Sequence, residues 1–238
     1  MTDSIGNPRK LSAARTILAI ETSNPSSGAG GVCAARLEGN AVEILGRGEL
    51  DASVRASDGV MVAVASACDS GGITARDVDA IAVSIGPGGY TALRIAATTA
   101  KTLAFACDCP VVPVPTWAVA RESIGPEQRP ALIALAGKGD HAHLTVIAPD
   151  GSPTHLGVVG PGAIQGGMAS VLVGDGHVPG AIVDKCLSLG MTRASIVLRG
   201  EACASASLGF DAVGPDAFEP AYAREPDAVT QWRARHEG

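Results

Sequence analysis

Aromatic residues are nearly missing from this chain: two Trp, two Tyr and three Phe among 238 residues, or 3%. A surface that stacks successive bases of single-stranded nucleic acid needs more of them. The same scarcity dictates a core assembled from Ala, Val, Ile and Leu. Basic runs are missing too. Lys and Arg number 18 against 24 Asp and Glu, a net charge of −6, whereas a protein that grips many phosphates unaided carries a basic face. If nucleic acid is involved, another molecule holds it. No apolar run is long enough to span a bilayer. Residues 1–15 lack the apolar segment of a signal peptide and read as a flexible extension. A cytoplasmic protein without membrane contact is expected.

Chemistry-bearing motifs are also scarce. The six cysteines, Cys33, Cys68, Cys107, Cys109, Cys186 and Cys203, form no C-x-x-C, so reduced, mostly buried thiols are expected rather than a disulfide framework. There is no H-E-x-x-H, no G-x-S-x-G and neither standard nucleotide fingerprint. His141 and His143, two apart, share one face if they lie on a strand, a candidate metal pair. No third ligand stands nearby, and exposed hairpin histidines are the plainer reading.

What the chain does contain is an α/β alternation, with 46% hydrophobic residues for its core. Residues 16–21 form a short apolar strand ending on Glu21, followed by a Ser-, Gly-, Pro- and Asn-rich turn. Residues 32–37 and 42–47 read as two further strands joined by a hairpin turn. Residues 53–68 read as a helix ended by Gly71-Gly72, with Val60 and Val64 on one face. Residues 81–85 form a buried strand. Gly86-Pro87-Gly88-Gly89 stops it, and Thr91 is placed to cap a helix running to about Cys107, roughly 25 Å long. Two readings of this turn stay open. Free N–H groups at the helix start, with Arg94 one turn in, make an anion site; equally, a tight strand-to-helix connection needs glycine alone.

That helix is rich in alanine. Leu93, Ala97, Ala100 and Ala104 share one stripe, and Arg94 and Lys101 another. One stripe meets the sheet, and a second is free for a neighbouring helix or another protein. Residues 111–114 are a strand interrupted by Pro113, hence short or at an edge, and Thr116 is placed to cap the next helix. Residues 125–130, with two prolines, mark a boundary. Beyond it, residues 131–136, 144–148 and 171–173 read as strands, the last ending in Gly174-Asp175-Gly176. Residues 181–189 and the later part of 195–209 read as helices. Glu21 and Asp175 both stand at strand ends, where ligands collect in α/β sheets. Plain turns would look the same.

In order along one chain, Ile17-Leu-Ala-Ile-Glu-Thr-Ser23, Asp79-Ala-Ile-Ala-Val83, Gly86-Pro-Gly-Gly-Tyr-Thr-Ala-Leu-Arg-Ile95, Ala100-Lys-Thr-Leu-Ala104, Gly174-Asp-Gly176 and Pro220-Ala-Tyr-Ala-Arg224 resemble the TsaB (YeaZ) family. The resemblance implies an α/β fold of two RNase H-like lobes of the actin, sugar kinase and Hsp70 (ASKHA) superfamily, with mixed sheets flanked by helices. The lobes would span residues 16–124 and 125–224, with a polar tail over 225–238. It implies a non-catalytic scaffold or activator paired with a TsaD-like catalytic subunit and a TsaE-like ATPase. Together these transfer a threonylcarbamoyl group to N6 of adenosine 37 in tRNAs that read codons starting with A. The tRNA would be met only through the complex. The first-lobe helices would supply the partner surface, with Val60, Val64, Leu93, Arg94, Ala97, Ala100, Lys101 and Ala104 as candidates. Glu21, Gly86, Gly88, Gly89, Thr91 and Asp175 are the candidate nucleotide residues, with no metal, no resident cofactor and ATP only at a subunit interface. Several positions depart from the family pattern. Glu21 stands where Asp is usual, Gly89 where Ser is usual, and Ala136-Gly-Lys138 replaces Asp-Ala-Arg. The alternatives are a nucleotide-binding enzyme of the same superfamily and a homodimeric binding protein outside the complex.

Overall fold

A computed structural model describes residues 15–24, 30–50, 56–222, 232, 235 and 236, with side chains undescribed at 56–58. Most of the N-terminal extension, the start of the first helix and most of the polar tail therefore lie outside the described residues. Two five-stranded mixed sheets form the frame, as the α/β reading expected. The first is built from β1 (Arg15–Glu21), β2 (Gly31–Glu38), β3 (Ala41–Glu49), β4 (Ala80–Gly86) and β5 (Val111–Pro115). Its order is β3-β2-β1-β4-β5. The β1–β2 and β2–β3 pairs are antiparallel, and β1–β4 and β4–β5 are parallel.

The second sheet repeats this topology with β6 (Ala131–Lys138), β7 (His141–Ile147), β8 (Pro153–Val159), β9 (Val171–Gly174) and β10 (Thr192–Ser195). Its order is β10-β9-β6-β7-β8, again with two antiparallel pairs followed by two parallel ones along the chain. Strands β8 and β10 were not anticipated from sequence. Both are edge strands whose residues are largely exposed, so neither carries a buried apolar run. β5, also at an edge, does contain Pro113 as expected.

Among the described residues, the sheets are flanked by α1 (Ala56–Gly71), α2 (Tyr90–Cys107), α3 (Thr116–Glu122), α4 (Gly180–Ser188) and α5 (Gly200–Ser207). Side chains alternate across β1. Leu18 and Ile20 join Val60, Ala63, Ala96 and Ala100 in a core with α1 and α2. Ile17 and Ala19 face the other way, into a core shared by both sheets, α3 and α5. A third core holds α4 against the outer side of the second sheet. The layers run α1/α2, first sheet, α3/α5, second sheet, α4.

The lobes are not consecutive stretches of chain. α5 packs on β1 and β2 of the first sheet, and residues after it stay there. Val213 bridges Val111. Phe218 is buried in the α1/α2 core, and the Ala221 N–H donates to the Ile85 carbonyl at 2.8 Å. Residues 200–222, expected in the second lobe, instead pack on the first sheet, where α5 covers Cys33, Ala35 and their neighbours.

Neither expected threonine cap forms. Gly89 and Pro115 occupy the N-cap positions of α2 and α3, and the Thr116 hydroxyl instead pairs with Ser84 at 2.8 Å. All six cysteines are free thiols. No helix among the described residues is long and apolar enough to cross a membrane.

Because Phe218 is a large ring clamping the returning segment onto α2, Phe218→Ala should cost about 3–5 kcal/mol, the usual range for deleting a buried phenylalanine. Urea unfolding measures it; a loss below about 1 kcal/mol would mean that the return segment is not part of the cooperative fold.

Candidate functional site

The end of β1 carries a fully buried carboxylate. Alternation along the strand turns Glu21 toward the layer between the sheets, where it has no solvent exposure. One carboxylate oxygen, Oε1, accepts the Ser23 N–H at 2.6 Å and the Ser23 hydroxyl at 2.5 Å. The other, Oε2, is buried with no hydrogen-bond partner. Burial raises the Glu21 pKa above its ordinary value, and the hydrogen bonds from Ser23 offset this only in part. The carboxyl is thereby biased toward its neutral form. Cys203 of α5, whose thiol donates to the Ile20 carbonyl at 3.7 Å, is pushed well upward in pKa, by burial and by the nearby Glu21.

Asp175, just past β9, faces Glu21's lobe but is already bound by this chain. Its carboxylate accepts a short hydrogen bond from the Asn24 side-chain amide across the cleft and the His177 N–H at 2.7 Å. The two strand-end acids lie where the lobes meet, each tied to a neighbouring residue of this chain.

The glycine turn also serves internal packing. A Cβ at Gly88 would stand 2.5 Å from the Ser23 carbonyl oxygen, and one at Gly86 would stand 2.4 Å from that of Ala221. Gly86 further needs its φ of +117°. The Gly89 N–H is spent on the Ser23 carbonyl at 2.8 Å, and the Thr22 hydroxyl donates to the Ala92 carbonyl at 3.1 Å. Of the two readings of the turn, the geometry favours the tight connection: Gly86 and Gly88 let the end of β1 and the returning segment touch the turn on either side. Thr91 is exposed on α2 rather than capping it, and Arg94 lies 5.5 Å over the Tyr90 ring rather than at the turn.

The candidate partner residues need a larger correction. Val60, Val64, Leu93, Ala97, Ala100 and Ala104 are all buried inside the chain. Their stripe is the one that meets the sheet, because only small side chains let α1 and α2 lie close on a surface of Val, Ile and Leu. Lys101 is half-buried, with its ammonium 5.8 Å from the Phe218 ring; only Arg94 of the group is exposed. The outward faces carry other apolar residues: Met61 at 50% exposure, Val62 at 68% and Phe105 at 59%. Sequence periodicity could have found them as the large apolar residues off the alanine stripe.

His141 and His143 do lie on one strand, but they differ. His141 is exposed, whereas His143 is half-buried and lines a pocket with His155 of β8. No group of three His, Cys, Asp or Glu side chains among the described residues is placed to hold a metal ion.

Glu21 makes a pH prediction. Its folded pKa is raised, so its contribution is fully favourable below the unfolded value of about 4.5 and is lost as pH rises toward the folded value. Glu21→Gln keeps the shape and the Ser23 contacts to the side-chain oxygen while removing the titration. The variant should match the wild type in stability below pH 4.5 and exceed it increasingly toward pH 7; denaturant midpoints across that range test this, and a pH-independent difference would refute it.

Comparison with known proteins bears on this geometry. Residues 51–156 match the family model of TsaD, the tRNA N6-adenosine threonylcarbamoyltransferase. Curated enzymes of that name are similar over part of the chain. The one from Streptococcus mutans is 37% identical over 95 residues, 39% of this chain and 28% of its own length. The one from Staphylococcus saprophyticus is 40% identical over 90 residues, 37% of this chain and 26% of its own. The match thus spans little more than a quarter of those transferases. Two solved structures from Pseudomonas aeruginosa share the whole fold. An uncharacterized protein with similarity to peptidase YeaZ superposes with a TM-score of 0.67 at 23% identity, over 88% of this chain and 100% of that one. YeaZ itself gives 0.64 at 21%, over 87% and 99%. The chain shares the two-lobed fold of these YeaZ structures.

Proposed function

We propose that this protein is a cytoplasmic, non-catalytic partner of a TsaD-like subunit in the threonylcarbamoylation of adenosine 37 (N6) in tRNAs reading codons that start with A. A TsaE-like ATPase completes the assembly, and tRNA is met through the other subunits. The observation that carries the reading is the outward face of α1 and α2. Both helices lie on one side of the first sheet, and their free sides expose Met61, Val62 and Phe105. These apolar side chains, unaccompanied by a basic surface, suit a protein partner better than a polyanion. A standard interface takes about 800 Å² from each partner, within reach of two helices of this length.

The lobe junction supports the non-catalytic part. Glu21 is folded onto Ser23, and Asp175 is engaged by Asn24 and His177. Neither carboxylate is presented to a substrate, and ATP is assigned to the interface with the partner rather than to this chain. The second reading is a homodimer that uses the same two helices as an isologous contact; the same exposed residues favour it when no partner is present.

Co-purification from the native host distinguishes them. The tagged chain should bring down a TsaD-like subunit. Met61→Asp with Phe105→Asp should weaken that association about 30-fold or more, the effect of losing roughly 2 kcal/mol of buried apolar contact, with the melting temperature unchanged. The isolated chain should show neither ATP hydrolysis nor transfer to tRNA, and robust transfer by the chain alone would overturn the assignment.

A further inference from the structure

The Glu21 carboxyl is sealed by an element that comes from elsewhere in the chain. Helix α5 lies on β1 and β2, and its Cys203 thiol reaches the Ile20 carbonyl, next to Glu21, at 3.7 Å. The fit is close, since a Cβ at Gly200 would stand 2.8 Å from the Cys33 nitrogen. Yet the helix is short, and its buried residues, Gly200, Cys203, Ala204, Ala206 and Ser207, are all small. Small side chains bury little apolar area, so they contribute little to holding the helix down. Two ion pairs to β3, Arg47 with Glu201 at 2.5 Å and Arg199 with Glu49 at 3.6 Å, lie at the solvent-exposed rim, where such pairs add little. An element held in this way opens locally at a lower free energy than the whole molecule unfolds.

What α5 covers is a carboxyl that no charge supports. Oε1 is held by Ser23, and Oε2 has no hydrogen-bond partner. Burial raises the Glu21 pKa, and only Ser23 and the nearby Ser84 hydroxyl act the other way. Ser84 is engaged with Thr116 of α3 at 2.8 Å, and Oε2 stays unpartnered. The elements packed around the carboxyl bring no cation to it. α5 brings Cys203 and β2 brings Cys33. Burial pushes both thiols up, Cys203 well above its ordinary value and Cys33 to about 12, so both stay neutral. β4 and α3 bring the hydroxyls of Ser84 and Thr116. Arg47 and Glu201, at the rim, pair with each other. An ionised Glu21 under α5 would therefore lack the partner that a buried charge needs. With α5 lifted, the carboxyl meets water and ionises as an ordinary glutamate does.

We propose that α5 is a proton-linked cover: closing it over the end of β1 takes up one proton from solvent on Glu21, and lifting it returns that proton to solvent. The residues that follow α5 are tied to the cover, because Val213 bridges Val111 and Phe218 sits in the α1/α2 core. Proton uptake thus also sets how firmly the return segment is held against α2. The closed form is favoured in full below the unfolded Glu21 value of about 4.5 and loses ground as pH rises toward the folded value.

Amide hydrogen exchange of the full chain tests this, read peptide by peptide by mass spectrometry between about pH 5 and 7 and corrected for the intrinsic exchange rate. The opening constant of α5 (Gly200–Ser207) should rise by up to about tenfold per pH unit, the slope for one released proton. That of α4 (Gly180–Ser188), on the outer side of the second sheet, should show no such rise. Glu21→Gln should abolish the rise in α5 and leave α4 as it was. Should Glu21→Gln fail to fold, Glu21→Leu, which places no polar atom under α5, takes its place with the same expected result. Exchange of α5 that is independent of pH in the wild type, or a pH dependence that survives removal of the carboxyl, overturns the proposal. A rise shared equally by α4 would link the proton to unfolding of the whole molecule and overturn the assignment to α5.

Discussion

Close approach of backbone to backbone is the constraint on which this structure depends. A core with almost no aromatic rings has little volume to place between its layers, so the layers have to come together until main chains touch. Glycine makes that possible. A Cβ at Gly48 of β3 would lie 1.9 Å from the Ala63 carbonyl oxygen of α1, and one at Gly46 would lie 2.3 Å from that of Ala67. On the other face, a Cβ at Gly200 of α5 would lie 2.8 Å from the Cys33 nitrogen of β2. The alanines of α1, α2, α3 and α5 continue the same economy of volume. Contacts this close leave few alternative packings, because a single added methyl has nowhere to go.

The same closeness shapes the lobe junction. The end of β1, the glycine turn after β4 and the returning segment are stacked against one another through Ser23, Gly88, Gly86 and Ala221. Groups that might face a ligand in an open cleft are thereby turned to internal tasks: Glu21 toward Ser23, the Gly89 amide toward the Ser23 carbonyl. What remains outward is a helical surface on one side and a ring-lined pocket on the other.

Much of this was legible in the residues. Apolar runs bounded by turn residues located β1 to β6, β7 in part and β9, and glycine and proline marked the ends of α1 and the turn before α2. β8 and β10 escaped because edge strands with exposed faces lack an apolar run, and the repetition of one sheet topology left no repeat in the sequence, since topology is set by strand order and not by particular side chains. The Ala- and Ser-rich α5 was readable as a helix but not as one that belongs to the first sheet; small residues have no amphipathic signal to say which layer they face. Glu21 stood out at its strand end, yet its burial depends on α5 and α3, which come from elsewhere in the chain. The alanine stripe of α2 misled for a definite reason. Small residues permit close contact, and here the contact is with the protein's own sheet, which leaves larger apolar side chains on the opposite side.

The return of residues 200–222 to the first sheet has a consequence for biosynthesis. The inner face of that sheet is covered by α5 and its outer core is completed by Phe218, both made long after the strands they cover. The first sheet, though translated early, stays incomplete until residues 200–222 have been made. During that interval its five strands present an open apolar surface, the state in which nascent chains depend most on chaperones.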